Sequence, residues 1–402
     1  MTNTKNILLI GSELGKGGAE RSISLLSYHL ERIGYNVTLC ILSGKDRTKY
    51  YKTCEEVIFV DPPGGTGVVQ KIKAWKYRID TIRRIKKDHN IDVCISFLEG
   101  PDYVNVLTKG REKVVLSIRG SKMFDKVISG FMGQVRKKIL IPYLYKRADN
   151  IACVTQALAD ELHKYFNISR DKLKVIFNFY EKEEILASAN APLTPDEEKI
   201  FSKKTIITSG RLHVAKEHDK LIRILSKVKE HVDARLVILG DGELHGELER
   251  LAKKLKLKSC NWNGVYEEAD IYFMGFQKNA FKFYMHSDLF ALTSSWEGFP
   301  NVLAEAIICE KPVVSTDCPT GPREILNVSA LGHDPTTKLV RTPAGSLLPM
   351  VHDITDDIIK TWADEINYRL DSPPPTTKEF TALSDRFTLD TLLIKWHDII
   401  EN

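Results

Sequence analysis

The apolar positions of the chain fall into a repeating order of short runs and longer periodic stretches. Ile7-Leu8-Leu9-Ile10 is an unbroken apolar run, which predicts a strand buried on both faces. A glycine-rich turn follows at Gly11, Gly15, Gly17 and Gly18. Ile23, Leu25, Leu26, Leu30 and Ile33 then recur mostly at three- and four-residue steps, predicting a helix that Gly34 ends. Val37–Leu42 reads as the next strand. Strand, helix, strand in that order implies a parallel sheet.

The pattern restarts near residue 205. Thr205–Thr208 reads as a strand, Leu221, Ile222, Ile224, Leu225 and Val228 as a helix, and Leu236–Leu239 as the next strand. Leu289–Leu292, a helix from about Asn301, and Val313–Ser315 continue the alternation. Two successive α/β modules follow: an N-terminal domain over 1–180 and a C-terminal one over 205–380. Residues 181–204, rich in Glu, Lys, Ala and Pro and without a strand signal, read as the linker. A second break falls at the proline run Pro373-Pro374-Pro375. In 381–402, Leu389, Leu392, Leu393, Trp396, Ile399 and Ile400 are spaced as a closing helix that returns to the first module.

Composition excludes several classes. Lys plus Arg number 58 and Asp plus Glu 53, a net +5 that is too small to argue for nucleic acid. The 7 cysteines are widely spaced and form no CxxC pair, so neither a disulfide framework nor a cysteine zinc site is expected. No apolar run matches a signal-peptide core or a membrane span, and the chain reads as cytoplasmic.

Three clusters carry candidate chemistry. The turn Gly11–Ala19 fits neither the P-loop nor GxGxxG spacing. It leaves either a helix N-terminus offering backbone N–H groups to a ligand or a plain βα turn. Arg211 and Lys216 leave the end of a strand together, where open parallel sheets bind ligands and where two cations suit a diphosphate. Solvated surface charges have the same pattern. In Thr293–Ala306, Glu297 lies on a loop, Pro300 and Asn301 suit a helix start, and Glu305 falls one turn in. Two carboxylates so placed can accept hydrogen bonds from the hydroxyls of one ligand, or be ordinary surface glutamates.

Taken in order, the motifs resemble the family 4 glycosyltransferases of the GT-B fold. They are Gly17-Gly18-Ala19-Glu20-Arg21, Gly210-Arg211-Leu212 with Lys216, Leu239–Leu244, Asn263-Gly264, the E-x7-E pair Glu297 and Glu305, and Lys311–Glu324. The Pro-Thr-Gly-Pro-Arg-Glu ending resembles bacterial surface-polysaccharide and N-glycan assembly enzymes that use UDP-sugars. The resemblance implies two Rossmann-like domains with parallel sheets facing a central cleft, and retaining sugar transfer without a metal or other cofactor. It implies that Arg211 and Lys216 hold the donor diphosphate, and that Glu305 holds the ribose with Glu297 beside the sugar. Gly298, Phe299, Pro300 and Asn301 would complete the E-x7-E side of the donor site. Gly264 and Val265 would line the base, and Gly17 and Gly18 would face the phosphates or acceptor.

The chemistry agrees with a cation-based site. A departing nucleoside diphosphate needs its charge stabilised, which Arg211, Lys216 and helix N-termini can do. Metal-using enzymes of this kind typically carry Asp-x-Asp, which this sequence lacks. One departure from the family stands after Val114–Ile118, where many members place a His. Here Arg119 follows, and a guanidinium cannot act as a base. It would instead hold an anionic acceptor group such as a polyprenyl diphosphate.

Residues 121–147 interleave seven Lys and Arg with apolar residues against one Asp, a pattern suited to an anionic membrane at the inner face of the cell membrane. Trp75 and Trp262 read as packing residues, and Arg83-Arg84 as a solvated helix face. The expected activity is thus transfer of a hexose or N-acetylhexosamine from a UDP-sugar to a lipid-linked oligosaccharide. The alternatives are a hexosyltransferase using a GDP-sugar or acting on a teichoic-acid or soluble acceptor, and a non-catalytic nucleotide-sugar binding protein.

Overall fold

A computed structural model describes residues 4–15, 17–44, 47–123, 130–328 and 335–402. The chain divides into two units, one of residues 1–179 and 390–402, the other of residues 180–389.

Among the described residues, the first unit is built on seven strands: β1 Asn6–Gly11, β2 Asn36–Ile41, β3 Glu56–Phe59, β4 Val93–Phe97, β5 Lys113–Ile118, β6 Asn150–Cys153 and β7 Leu173–Val175. Their order is β3-β2-β1-β4-β5-β6-β7, and every pairing is parallel. Ile7 to Ile10 are fully buried, as a central strand covered on both faces requires. The helix Gly18–Arg32 buries Ile23, Leu26 and Leu30, and Gly34 with φ +101° turns the chain out of it. The helix Leu389–Glu401 completes this unit. Trp396 stacks on Phe97 with centroids 6.4 Å apart, and Lys5 and Lys113 donate to the carbonyls of Ile400 and Ile399 at the helix end.

Among the described residues, the second unit has eight strands: β8 Lys204–Ser209, β9 Ala234–Leu239, β10 Ser259–Asn261, β11 Ile271–Phe273, β12 Leu289–Leu292, β13 Val313–Thr316, β14 Val340–Thr342 and β15 Gly345–Leu348. Their order is β10-β11-β9-β8-β12-β13-β15-β14, parallel except for the β14–β15 pair. One core cluster joins Leu221, Ile224 and Leu225 of the helix His218–Val228 to Trp362 and Ile366 of the helix Asp356–Asp371 over Leu236 and Ile238.

Two segments differ from their reading in the sequence. Residues 181–204 form the helices Lys182–Ala189 and Pro195–Ile200, which belong to the second unit. Thr194 and Glu197 cap the second of these reciprocally, so the polar composition encodes a helix start rather than a free tether. Residues 381–389 also stay with the second unit, where Phe387 meets Phe299 edge-on at 5.5 Å. The return to the first unit begins at Asp390. Among the described residues, no helix is long and apolar enough to cross a membrane.

Candidate functional site

The order of the second sheet reverses at β8. Strands β9, β11 and β10 lie to one side of it and β12 and β13 to the other. Loops leaving the carboxyl ends of β8 and β12 diverge there and leave room for a ligand. The Gly210–Lys216 segment follows β8, Gly240–Glu243 follows β9, Thr293–Pro300 follows β12, and Asp317–Gly321 follows β13.

These loops are tied to one another by their backbones. Gly210 N–H donates to Leu239, and Leu212 N–H donates to Asp241, both at 2.9 Å. The approach is so close that a Cβ on Gly240, where φ is +135°, would lie 2.1 Å from the Gly210 carbonyl oxygen. Across β12, Ser295 N–H donates to the Ala215 carbonyl at 2.9 Å, and the Thr293 hydroxyl donates to the Lys216 carbonyl at 2.9 Å. On the far side, Glu297 N–H donates to Pro319 at 3.0 Å and Thr320 N–H returns to Glu297 at 3.1 Å. The Thr320 hydroxyl donates to the Gly298 carbonyl at 2.7 Å. Arg323 and Asp317 brace that loop through two short contacts of 2.6 and 2.5 Å.

This frame brings Lys216 and Glu297 together. Lys216 Nζ lies 2.5 Å from Glu297 Oε1, and Ser294 Oγ donates to the same oxygen at 2.7 Å. The two charged side chains are 22% and 12% exposed, so the pair is partly shielded yet open on one side. Arg211 is on the same loop as Lys216 but 72% exposed, and it pairs with Glu243 at 3.2 Å. Glu305 is buried in the helix Asn301–Ile308. Its carboxylate, after burial itself, pushes the Cys309 thiol up to about 12. Asn301 opens that helix and accepts from the Tyr180 hydroxyl at 2.6 Å. Phe299 and Pro300 are buried, Phe299 against Phe387. Gly264 and Val265 stand exposed after β10, where Val265 N–H donates to Asn263 Oδ1.

In the first unit, the sheet order reverses at β1. Gly17 precedes the helix Gly18–Arg32, and the Glu20 carboxylate folds back against it. Arg119 follows β5, its guanidinium 4.4 Å over the Phe97 ring and bonded to Asn178, which also accepts from Ser22. In the stretch 121–147, residues 124–129 lie outside the described residues. Of the rest, Ile139, Tyr143, Lys138, Lys146 and Arg147 are exposed. Among the described residues, no group of three or more His, Cys, Asp or Glu is arranged to hold a metal ion.

Ser294, Thr320, Asp317, Arg323 and His218 all lie inside the clusters read from the sequence but receive no role there, because hydroxyls, internal ion pairs and a buried imidazole carry no periodic signal. His218 is buried directly after the Lys216-Glu217 dipeptide. Burial, reinforced by Lys216, pushes its imidazole down to about 4, so it is neutral near pH 7.

Comparison with known proteins gives the arrangement a context. Residues 16–184 match the family model described as Glycosyltransferase Family 4, and residues 203–342 the one described as Glycosyl transferases group 1. An uncharacterised glycosyltransferase of Methanocaldococcus jannaschii is 35% identical over 64% of this chain, and the match spans 62% of that relative's length. The N-acetylgalactosamine-N,N'-diacetylbacillosaminyl-diphospho-undecaprenol 4-alpha-N-acetylgalactosaminyltransferase of Campylobacter jejuni is 28% identical over 79% of this chain and 82% of its own. Among solved structures, a glycosyltransferase from Rickettsia africae superposes with a TM-score of 0.72 at 17% identity, covering 99% of this chain and 98% of that one. Anabaena HepE in complex with UDP and glucose does so with a TM-score of 0.71 at 16% identity, covering 98% and 99%. These last two likenesses establish the GT-B fold.

Proposed function

We propose that this chain, which belongs to glycosyltransferase family 4, moves a hexose or N-acetylhexosamine from a UDP-sugar to a lipid-linked oligosaccharide, with retention of configuration, in the assembly of a cell-surface polysaccharide or glycan. The observation that carries the reading is the Lys216–Glu297 pair at the reversal point of the second sheet. An ion pair in that crevice is a charged lock that an incoming diphosphate can open. Lys216 exchanges a carboxylate for phosphate oxygens, and Glu297 is released toward the hydroxyls of the sugar beside them.

The leaving group is a nucleoside diphosphate, and its growing negative charge falls on Lys216. Arg211, on the same loop, swings from the exposed Glu243 to share it. Glu305 receives the ribose hydroxyls from the adjacent helix, and Gly264 and Val265 bound the base. In the first unit, Gly17, Gly18 and Arg119 are the residues assigned to the phosphates or acceptor. Arg119 is permanently charged and suits a diphosphate-linked acceptor. Support for such an acceptor comes from the Campylobacter relative, whose name specifies a diphospho-undecaprenol substrate. Support for UDP comes from the Anabaena complex. Work on such an acceptor calls for docking at the inner face of the cell membrane, to which the exposed Ile139, Tyr143 and neighbouring cations contribute.

The test is incubation with UDP-, GDP- and ADP-sugars and a polyprenyl-diphosphate-linked acceptor, reading released nucleoside diphosphate and the anomeric configuration of the product. Acceptor-dependent release of UDP with retention is expected. Release from GDP-sugars alone would move the donor assignment, and binding without release would mark a non-catalytic protein.

A further inference from the structure

Arg119 is held by its ring neighbour, by an amide and by the chain that follows it. It comes after β5 at the carboxyl edge of the first sheet, and its guanidinium lies 4.4 Å over the ring of Phe97, the last residue of β4. It donates to the Asn178 amide oxygen, which also accepts from the Ser22 hydroxyl at 3.3 Å. Phe97 is 1% and Asn178 7% exposed, while Arg119 itself is half-buried and meets solvent on part of its surface. The chain just beyond is pinned as well. Glu161 accepts from the Ser121 hydroxyl at 2.7 Å and from the backbone N–H groups of Lys122 and Met123 at 2.7 and 3.1 Å.

The two groups that grip the guanidinium, a ring face and an amide oxygen, are both neutral. They fix its direction and leave its charge in place. A brace meant only for stability would gain more from a carboxylate, as Arg323 does from Asp317 in the second unit. Ordering a long side chain costs entropy, and here that cost falls on folding rather than on the binding of a ligand.

Phe97 is held in turn. Trp396 of the helix Leu389–Glu401 stacks on it, with centroids 6.4 Å apart and planes inclined by 22°. The end of that helix is clipped to the same sheet by Lys113, which opens β5, the strand that leads to Arg119. Trp396, Phe97, Arg119, Asn178 and Ser22 therefore form a row, each touching the next, from the last helix of the chain to its first. We propose that Phe97, Asn178 and Trp396 are positioning residues that hold the Arg119 guanidinium, charged and pre-ordered, for the diphosphate of a polyprenyl-linked acceptor. That purpose rests on the function proposed above, and it adds that the C-terminal helix sets acceptor affinity through Phe97.

The experiment has a kinetic and a binding arm, both on the full chain. The first measures donor and acceptor KM by UDP release. The second follows farnesyl diphosphate binding to the UDP-saturated chain by calorimetry and needs no turnover. Asn178→Asp is the deciding variant. It keeps the shape but sets a carboxylate on Arg119, so melting should hold or rise while acceptor KM and probe Kd rise about tenfold or more. Arg119→Ala should raise both by about a hundredfold. Trp396→Leu should raise both about threefold, and Trp396→Phe, which keeps a ring against Phe97, should recover most of that loss. The donor KM should stay at the wild-type value in all four. A wild type that binds the probe yet turns over no lipid-linked acceptor would sink the function proposed above and support the clamp. The clamp is refuted if the wild type does not bind the probe, if Asn178→Asp or Arg119→Ala binds it equally well, or if donor and acceptor KM rise together. Trp396 drops out of it if Trp396→Leu folds and binds like the wild type. Asn178→Asp decides the rest even where Trp396→Leu does not fold.

Discussion

The Lys216–Glu297 pair makes a prediction that separates a functional site from a merely stabilising one. Lys216→Met keeps the length and apolar stem of the side chain and removes the charge. It strands a Glu297 carboxylate that is 12% exposed and retains Ser294. Breaking a fully buried pair costs about 3–5 kcal/mol and a surface pair about 0–1. This half-shielded pair falls between, so a loss of about 2 kcal/mol in unfolding free energy is expected. Glu297→Gln, which keeps the shape, should cost less. The double variant should show a coupling of about 1–2 kcal/mol in the cycle. Binding should behave differently. Removing a charged donor to the diphosphate costs about 2–3 kcal/mol, so Lys216→Met should weaken UDP binding by about 30- to 150-fold. Glu297→Gln removes a competitor for the same ammonium, so UDP should bind as tightly as to the wild type or better. Its turnover, however, should fall by about a hundredfold. Titration calorimetry with UDP and a coupled assay of UDP release read the two effects. If both variants weaken UDP equally, or neither does, Lys216 does not trade Glu297 for phosphate and the mechanism above is wrong.

Other expectations follow from the same structure. Arg211→Ala removes a side chain that is mostly solvated, so melting should shift little, while turnover should drop by about a hundredfold; normal kinetics would remove Arg211 from the site. Gly240→Ala combines a positive φ with a Cβ 2.1 Å from a carbonyl oxygen, so it should cost about 1–3 kcal/mol or more and displace the Arg211 loop, and a variant as stable and active as the wild type would contradict the loop contact. Burial pushes the Asp102 carboxyl from an ordinary 3.8 up to about 7, so the folded state favours its protonated form. Its contribution to stability is complete below about pH 4 and is lost as pH rises through 7. The melting temperature of Asp102→Asn should therefore gain on the wild type from pH 5 to pH 8, and a constant difference would refute that assignment. Finally, transfer should proceed unchanged in EDTA; loss of activity that manganese restores would show that a metal supplies the charge stabilisation.

Much of this was legible because parallel strands buried on both faces write themselves as unbroken apolar runs. Ile7–Ile10, Leu236–Leu239 and Leu289–Leu292 all lie in central strands. The identity of the cluster residues was legible too, since turn glycines, Lys216 and Glu297 cluster after strands. Their pairing was not: Lys216 and Glu297 are 81 positions apart, and only the sheet order makes them neighbours. Residues 181–204 have the composition of a linker yet are largely helical, because local signals such as the Thr194-x-x-Glu197 capping box decide the structure there and composition does not.

The route of the chain has a consequence for its biosynthesis. The first sheet is complete by Val175, but the helix that places Trp396 against Phe97 is translated only after the whole second unit. The ordinary order, in which one body matures before the next is made, cannot run to completion here. The first unit must wait, with Phe97 lacking its Trp396 partner, until the ribosome has delivered the helix Leu389–Glu401. A premature stop just past Phe387 would leave every strand of both sheets encoded, and the defect would surface in the unit whose strands were made before it.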